Sequence, residues 1–137
     1  IFFNTKYARE FELRRKRAGH LSSKNRYLAA QMLGYLDNDL WLKLATSSNT
    51  MAKQLSAFFE SIPYVKLHHQ PEANMIFADM PRKVHQQFFK AGAKYYLRNG
   101  GLDGNEDELV TARFVCSWST TEEDINAFIV AAQKVIY

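Results

Sequence analysis

Apolar residues recur at three- and four-residue spacing through the first part of the chain, and this is the period of an amphipathic helix. The pattern predicts a first helix over residues 5–18. Asn4 is placed to cap its first turn with a side-chain oxygen, and Gly19 is placed to end it. The chain is therefore expected to open with one short helix whose two ends are both marked in the sequence.

A second predicted helix has no clear polar side. Ser22 or Ser23 is expected to cap it, and the helix should end near residue 36. The stretch 27–36 is apolar on nearly every side, which is typical of a helix buried at a domain boundary or a subunit interface. We therefore expect this helix to be covered by protein.

A long amphipathic helix is predicted over residues 40–62, after a polar break formed by Asp37, Asn38 and Asp39. Polar residues fill one side of this helix. The other side carries residues at three- and four-residue spacing: Leu40, Leu44, Ser48, Met51, Leu55, Phe58 and Ile62. A helix patterned in this way packs a single face on a core.

The hydrophobic period changes from helical to two after Pro63, and a period of two indicates strands. The predicted strands cover residues 64–68, 74–78, 93–97 and 110–118. In the last of these, one side is apolar and the other carries Thr111, Arg113, Val115 and Ser117, so Arg113 lies at the middle of a largely polar face.

Helices are predicted between the second and third strands and after the fourth. Pro81 should occupy the first position of the shorter helix, which Gly92 closes, and a capping box of Thr120 and Glu123 should open the terminal helix. Residues 99–108 are predicted to form a solvated loop. Long helices followed by strands and helices in the order β, β, α, β, β, α indicate an α+β fold, with a small, largely antiparallel sheet covered by helices.

Composition narrows the class of protein. The chain has 137 residues, of which 47% are hydrophobic and 23% charged, and this excludes disordered, collagen-like and coiled-coil proteins. The single cysteine, Cys116, rules out a disulfide within the chain and a cysteine-based zinc site. No apolar run has the roughly 20 residues of a membrane helix, and no signal-peptide pattern opens the chain, so a cytoplasmic protein without membrane contact is expected.

Positive charge is concentrated in residues 1–26, which hold eight Lys and Arg against two Asp and Glu. Three interpretations stay open: a solvated helix end, a nucleic-acid surface, or a site for a small anion such as a cofactor phosphate. Lys16 and Lys24 flank the turn at Gly19 that leads into a helix N-terminus, which favours the anion site, and His20 lies between them. No known nucleic-acid-binding motif accompanies the charge, so nucleic acid is not expected as a partner.

The other candidate functional residues indicate their roles less clearly. Arg113 is either an ordinary solubilising residue or, under a partner domain, a fork that grips a substrate carboxylate. His68 and His69 are adjacent on a predicted strand and should point to opposite faces, which argues against a shared metal. Cys116 lies on an apolar strand face and is expected to be buried and unreactive. The residues alone therefore also allow a non-enzymatic basic α+β module that binds nucleic acid or a protein partner.

A family resemblance covers essentially the whole chain. The sequence at residues 10–20, EFELRRKRAGH, resembles the low-specificity L-threonine aldolases, which are pyridoxal 5'-phosphate (PLP) enzymes of fold type I. The likeness continues in the family's order and spacing at Ser23-Lys24, residues 26–31, Tyr35-Leu36, residues 39–41, residues 72–74, residues 113–115 and residues 120–124.

The resemblance implies that the chain is the C-terminal part of such an enzyme, less than half of it. It begins just after the lysine that would carry the cofactor as a Schiff base. Residues 1–3 then match the last strand of the large cofactor-binding domain. Residues 1–36 would be the end of that domain, and residues 37–137 the C-terminal small domain with its long connecting helix.

The resemblance also implies roles for individual residues. Lys16 matches a basic position that reaches the cofactor phosphate across a subunit interface, with Lys24 and His20 beside it; Ser23 stands where many members have an arginine. Arg113 matches the arginine that binds the α-carboxylate of the amino-acid substrate. A homo-oligomer, either a dimer or a dimer of dimers, is expected. The catalytic residues lie upstream, so residues 1–137 alone should be inactive.

Overall fold

The computed structural model describes residues 3–136. Two residues of the strand expected over residues 1–3 lie outside the described residues, and Phe3 is not in a strand. The chain divides into two compact units, Ile1–Trp41 and Leu42–Tyr137.

The first unit is helical. A 3-10 turn at Thr5–Tyr7 leads into helix α1 (Ala8–Arg17), and helix α2 (Asn25–Leu36) ends in a second 3-10 turn, Asp37–Asp39. Asn38 has a φ of 49° in that turn, which explains the break in the hydrophobic pattern. Both helices predicted in this region, the first over residues 5–18 and the second ending near residue 36, are present.

The two ends of the first helix follow the sequence signals. The Asn4 side chain accepts a hydrogen bond from the Lys6 amide at 3.0 Å. Gly19 has a φ of +72°, and the amides of Gly19 and His20 donate back to the carbonyls of Lys16 and Arg15 at 3.1 and 3.0 Å. This arrangement is a Schellman motif, which needs a residue that tolerates the left-handed region.

One expectation for α2 is wrong. Neither Ser22 nor Ser23 is its N-cap, because the helix starts at Asn25 with Lys24 at the cap position; the Ser22 hydroxyl instead accepts from the Lys24 amide at 3.3 Å. Every residue from 3 to 43 is exposed in this chain. Whether α2 lies at a subunit interface stays a prediction.

The remaining elements confirm the α+β class and the predicted order. Helix α3 spans Leu40–Glu60 and is followed by β1 (Lys66–Leu67), β2 (Met75–Pro81), α4 (Arg82–Lys90), β3 (Tyr96–Leu97), β4 (Leu109–Val115) and α5 (Glu122–Ile136). Strands β1 and β3 are shorter than expected, with two paired residues each, although the amides of His68 and Arg98 still donate to the carbonyls of Phe77 and Thr111 at 3.0 and 2.8 Å. The four strands form one antiparallel sheet in the order β1-β2-β4-β3.

One face of the sheet carries the core. Ile76, Ala78 and Met80 of β2, together with Val110, Ala112 and Phe114 of β4, are at most 5% exposed. Residues of α3, α4 and α5 pack in the same region, and the Phe59 ring lies 4.7 Å from the Phe114 ring and 6.0 Å from the Phe128 ring. The alternate residues of β2 and β4 point to the other side, which we call the open face.

Two element starts differ from expectation by one residue. Pro81 is the last residue of β2, paired with Leu109, and the N-cap of α4 rather than its first residue. The capping box of α5 is Thr121 with Asp124, which exchange hydrogen bonds of 3.0 and 3.1 Å. The Thr120 hydroxyl accepts from the Ser117 amide instead. The local sequence pattern does not show which of two neighbouring threonines, and which of two neighbouring carboxylates, form the capping box. The path of the chain after β4 decides this.

The loop 99–108 is held by a buried cation that the sequence did not reveal. Arg82 is 3% exposed, and its guanidinium donates to the carbonyls of Gly101 and Asn105 and to the Glu108 carboxylate. Gly104 lies so close that a Cβ there would be 3.3 Å from the guanidinium carbon, and its φ is +124°. The expectation of a solvated loop therefore applies to its exposed side chains, while its backbone is fixed against α4.

A second buried polar group, His85, connects α4 to the sheet. It is fully buried, its Nε2 lies 2.9 Å from the Val110 carbonyl, and its Nδ1 lies 3.0 Å from the Tyr95 hydroxyl. A carbonyl only accepts, so Nε2 carries the proton and Nδ1 accepts from Tyr95. Burial lowers the pKa of His85, although the hydrogen bonds to backbone oppose this, and burial raises the pKa of Tyr95.

The buried imidazole makes stability depend on pH. The unfolded chain takes up a proton near the ordinary histidine pKa of about 6.5, whereas folded His85 resists it, so stability is full above that pH and falls as the pH drops below it. We expect the urea midpoint to fall between pH 7.5 and pH 5.5, and the slope to be smaller in His85→Gln. A matched His20→Gln variant, which changes an exposed histidine, should keep the wild-type slope. An unchanged slope in His85→Gln would show that other groups cause the pH dependence.

Candidate functional site

Arg113 lies on the open face at the middle of β4. Antiparallel pairing places it opposite Phe77 of β2 and Tyr96 of β3. Its guanidinium carbon lies 4.8 Å from the centre of the Tyr96 ring, which holds the planar group by a cation–π contact. The Arg113 side chain is therefore fixed by its own sheet and not extended into solvent.

The Nε atom of Arg113 is buried and has no hydrogen-bond partner among residues 3–136. A buried donor without an acceptor is costly, and such groups in native proteins usually have a ligand, an ion or a partner. Arg113 also lines a cleft of about 310 Å³, the Arg113 cleft, with Lys94, Tyr96, Thr120 and Asp124 among its polar residues. This site can accept a planar anion that bonds to two guanidinium nitrogens.

A neighbouring cleft on the open face was not found from the sequence. It has a volume of about 430 Å³, and we call it the Arg98 cleft after its cation; its lining residues are His68, His69, Phe77, Arg98, Asn99 and Thr111. The Arg98 guanidinium carbon lies 5.4 Å from the centre of the Phe77 ring. The alternation of Tyr96 and Arg98 could have indicated a second arginine on the same face, but the predicted strand ended at residue 97.

Beside this cleft, the side chains of Asp79, Thr111 and His68 form a hydrogen-bonded group. The Asp79 carboxylate accepts from the Thr111 hydroxyl at 2.6 Å and contacts His68 Nε2 at 2.8 Å. Burial is the largest influence on the Asp79 pKa and raises it, but these two hydrogen bonds and the charges of His68 and Lys66 together lower the pKa below its usual value. Asp79 is therefore a carboxylate that already accepts hydrogen bonds from its neighbours.

The expectation for the adjacent histidines is wrong. His68 and His69 line the same cleft and do not point to opposite faces. The His68 amide still donates to the Phe77 carbonyl at 3.0 Å, so the strand alternation is lost only after His68. His69 lies 5.8 Å from the Phe77 ring and His68 bonds to Asp79. Among residues 3–136, no group of three or more His, Cys, Asp and Glu side chains is arranged to hold a metal ion.

The predicted phosphate residues lie around the turn between α1 and α2. Lys16 is in the last turn of α1, His20 follows the Schellman glycine, and Lys24 is the N-cap of α2. All three are exposed, and within the described part of the chain their side chains make no hydrogen bond or ion pair. Two other cations of α1 are paired locally, Arg9 with Glu12 at 2.8 Å and Arg14 with Glu10 at 2.6 Å.

Cys116 matches its prediction. It is 2% exposed, and burial raises the pKa of its thiol, so the reactive thiolate is disfavoured. Within residues 3–136, no helix is long and apolar enough to cross a membrane.

Comparison with known proteins finds two relatives that share one description. The chain is 37% identical over 124 residues to a low-specificity L-threonine aldolase of Pseudomonas sp. (strain NCIMB 10558), covering 89% of this chain and 33% of that protein. It is 35% identical over 127 residues to a low-specificity L-threonine aldolase of Pseudomonas aeruginosa, covering 91% and 34%. The chain thus spans about a third of the length of these relatives. No family model matches it.

Two solved structures share the fold. A threonine aldolase of Leishmania major superposes with a TM-score of 0.64 at 19% identity, over 75% of this chain and 28% of that one. A glycine decarboxylase (P-protein) of the glycine cleavage system, in inhibitor-bound form, gives a TM-score of 0.58 at 23% identity, over 77% and 24%. The chain is therefore homologous to the low-specificity L-threonine aldolases over a third of their length, with the fold of the C-terminal part of a threonine aldolase.

Proposed function

We propose that this chain is the C-terminal part of a PLP-dependent carbon–carbon lyase that cleaves a β-hydroxy-α-amino acid to glycine and an aldehyde. The observation that carries the proposal is the homology to two L-threonine aldolases together with the unsatisfied, ring-stacked Arg113 on the open face. In the complete enzyme, the cofactor would supply the electron sink for cleavage of the Cα–Cβ bond.

In this proposal Arg113 binds the substrate α-carboxylate. Two parallel N–H···O bonds fix both the position and the plane of the carboxylate, so the bonds at Cα acquire a defined orientation. The Tyr96 ring stops the guanidinium from rotating, and this lowers the entropy lost when substrate binds. Arg113 is thus a binding and orienting residue, and it takes no part in proton transfer.

The donors around the α1–α2 turn fit a phosphate. Lys16, His20 and Lys24 offer two ammonium groups and an imidazole without partners among residues 3–136, and the N-cap of α2 has no side-chain cap. We infer that these residues contact the cofactor phosphate. The exposed apolar residues of α2 support a homo-oligomer in which this segment meets another subunit, and we place the enzyme in the cytoplasm.

The test compares residues 1–137 with the complete polypeptide that contains them. The complete polypeptide should bind PLP with the absorbance of a lysine adduct and release glycine and acetaldehyde from L-threonine. Residues 1–137 should show neither signal, because the chain spans about a third of its relatives and the cofactor lysine is expected upstream. Threonine cleavage by residues 1–137 alone would contradict the placement of that lysine, and a complete polypeptide that ignores PLP would contradict the function.

A further inference from the structure

The open face carries two arginines in neighbouring rows of the sheet. Tyr96 pairs with Arg113, and the Arg98 amide donates to the Thr111 carbonyl at 2.8 Å, so Arg98 lies one row beyond Arg113 on the same face. Such diagonal positions on an antiparallel pair are about 7–8 Å apart, well within the reach of two arginine side chains. The two arginines therefore project from one face of the sheet, although the Arg113 cleft and the Arg98 cleft have no lining residue in common.

The Arg98 cleft presents donors and no free carboxylate. Within residues 3–136, the side chain of Arg98 makes no hydrogen bond and only stacks on Phe77. The Asn99 side-chain oxygen accepts from the Thr111 amide at 2.5 Å, which leaves the NH₂ group of Asn99 as a donor. The nearby acid, Asp79, already accepts from Thr111 and His68 and lies next to Lys66 in the sheet.

We propose that Arg98 and Asn99, with His69 beside them, form a second oxyanion subsite that binds the distal carboxylate of a small dicarboxylate whose other carboxylate is held by Arg113. This proposal rests on the proposed function. It narrows the substrates of the proposed lyase to β-hydroxy-α-amino acids that carry a carboxylate on Cβ. With 3-hydroxyaspartate, loss of the β-hydroxyl proton and cleavage of Cα–Cβ would yield glyoxylate, while Cα takes up a proton to give glycine.

The binding test uses residues 1–137 and a matched pair of probes. Succinate has two carboxylates, and butyrate has the same carbon chain with a methyl group in place of one. In an NMR titration at constant low ionic strength, succinate should bind about tenfold more tightly than butyrate, since a second charge-assisted contact is added. The signals of Arg98, Asn99 and Arg113 should shift together with succinate.

The variant Arg98→Gln should reduce succinate affinity to that of butyrate and leave butyrate binding unchanged. A control variant, Lys90→Gln, removes an equal charge from an exposed position of α4 that does not line the cleft, and it should bind both probes as the wild type does. Equal affinities for succinate and butyrate in the wild type would overturn the proposal of a subsite. An equal loss of succinate affinity in Arg98→Gln and Lys90→Gln would also overturn it.

The kinetic test separates this inference from the proposed function. In the complete polypeptide, Arg98→Gln should lower kcat/KM for 3-hydroxyaspartate about tenfold and leave that for threonine, which has a methyl group on Cβ, unchanged. Cleavage of threonine with no effect of Arg98→Gln on 3-hydroxyaspartate would overturn the inference alone. If neither compound is cleaved, the proposed function is wrong, and the succinate titration still decides whether the subsite exists.

Discussion

Replacement of Arg113 by alanine in the complete enzyme should lower kcat/KM for L-threonine about a hundredfold, mainly through a higher KM, while PLP binding stays at the wild-type level. The physical reason is the loss of the proposed bidentate, charge-assisted contact to the substrate carboxylate, a loss worth about 3 kcal/mol when one partner of such a pair is removed. Steady-state kinetics and a PLP titration of the variant measure the two quantities separately.

Matched variants make this result specific. Arg113→Lys keeps the charge but loses the planar fork, so it should lie between alanine and wild type. Lys53→Ala removes an exposed cation of α3 and should change neither quantity. Lys16→Ala and Lys24→Ala should show the opposite behaviour, with weaker PLP binding and little change in KM. Release of the cofactor by Arg113→Ala, with KM unaffected, would show that the role assigned to Arg113 is wrong.

Replacement of Arg82 by alanine should have the largest effect on stability. The guanidinium is 3% exposed and donates to two loop carbonyls and to Glu108, so alanine leaves these acceptors without their donor and opens a cavity beside Gly104. We expect the free energy of unfolding to fall by about 3 kcal/mol, because hydrogen bonds to a charged group are lost in a buried setting. A urea titration measures this change.

The neighbouring residue provides the control. Lys83 forms an ion pair with Asp107 of the same loop at 2.7 Å, but both side chains are exposed. Lys83→Ala should leave the urea midpoint almost unchanged, since exposed ion pairs contribute little. Amide exchange should accelerate across residues 99–108 in Arg82→Ala only. Equal effects of the two substitutions would show that burial of Arg82 does not determine the strength of the anchor.

The hydrophobic period predicted most of the fold because it is a local property. The terminal helix shows this well: Ile125, Phe128, Ile129 and Ala132 recur at three- and four-residue spacing, and all four are buried or half-buried in α5. The order of strands and helices after residue 63 was also correct. The capping box of α5 was placed one residue early, because neighbouring threonines offer equivalent local signals, and the N-cap of α2 was placed on a serine although Lys24 occupies it without a side-chain cap.

The candidate site was predicted only in part. Arg113 was singled out because its strand alternates clearly and because its surroundings resemble those of a known family. Arg98 was missed because the predicted strand ended at residue 97, one residue before it, and only the hydrogen bond of its amide to Thr111 shows that it continues the sheet. The roles of Lys16, His20 and Lys24 remain predictions that the mutational tests above address.

The sequence by itself determined the α+β class, the order of the elements, the ends of the first helix and the likeness to the threonine aldolases. These depend on spacings of a few residues, where the backbone geometry of a helix or strand relates neighbours directly. The tertiary structure decided that Arg82 anchors a loop more than 15 positions away and that Arg98 shares a face with Arg113. Such contacts depend on strand register and on which polar groups are buried away from water. For residues distant in sequence, both are set only when the chain folds.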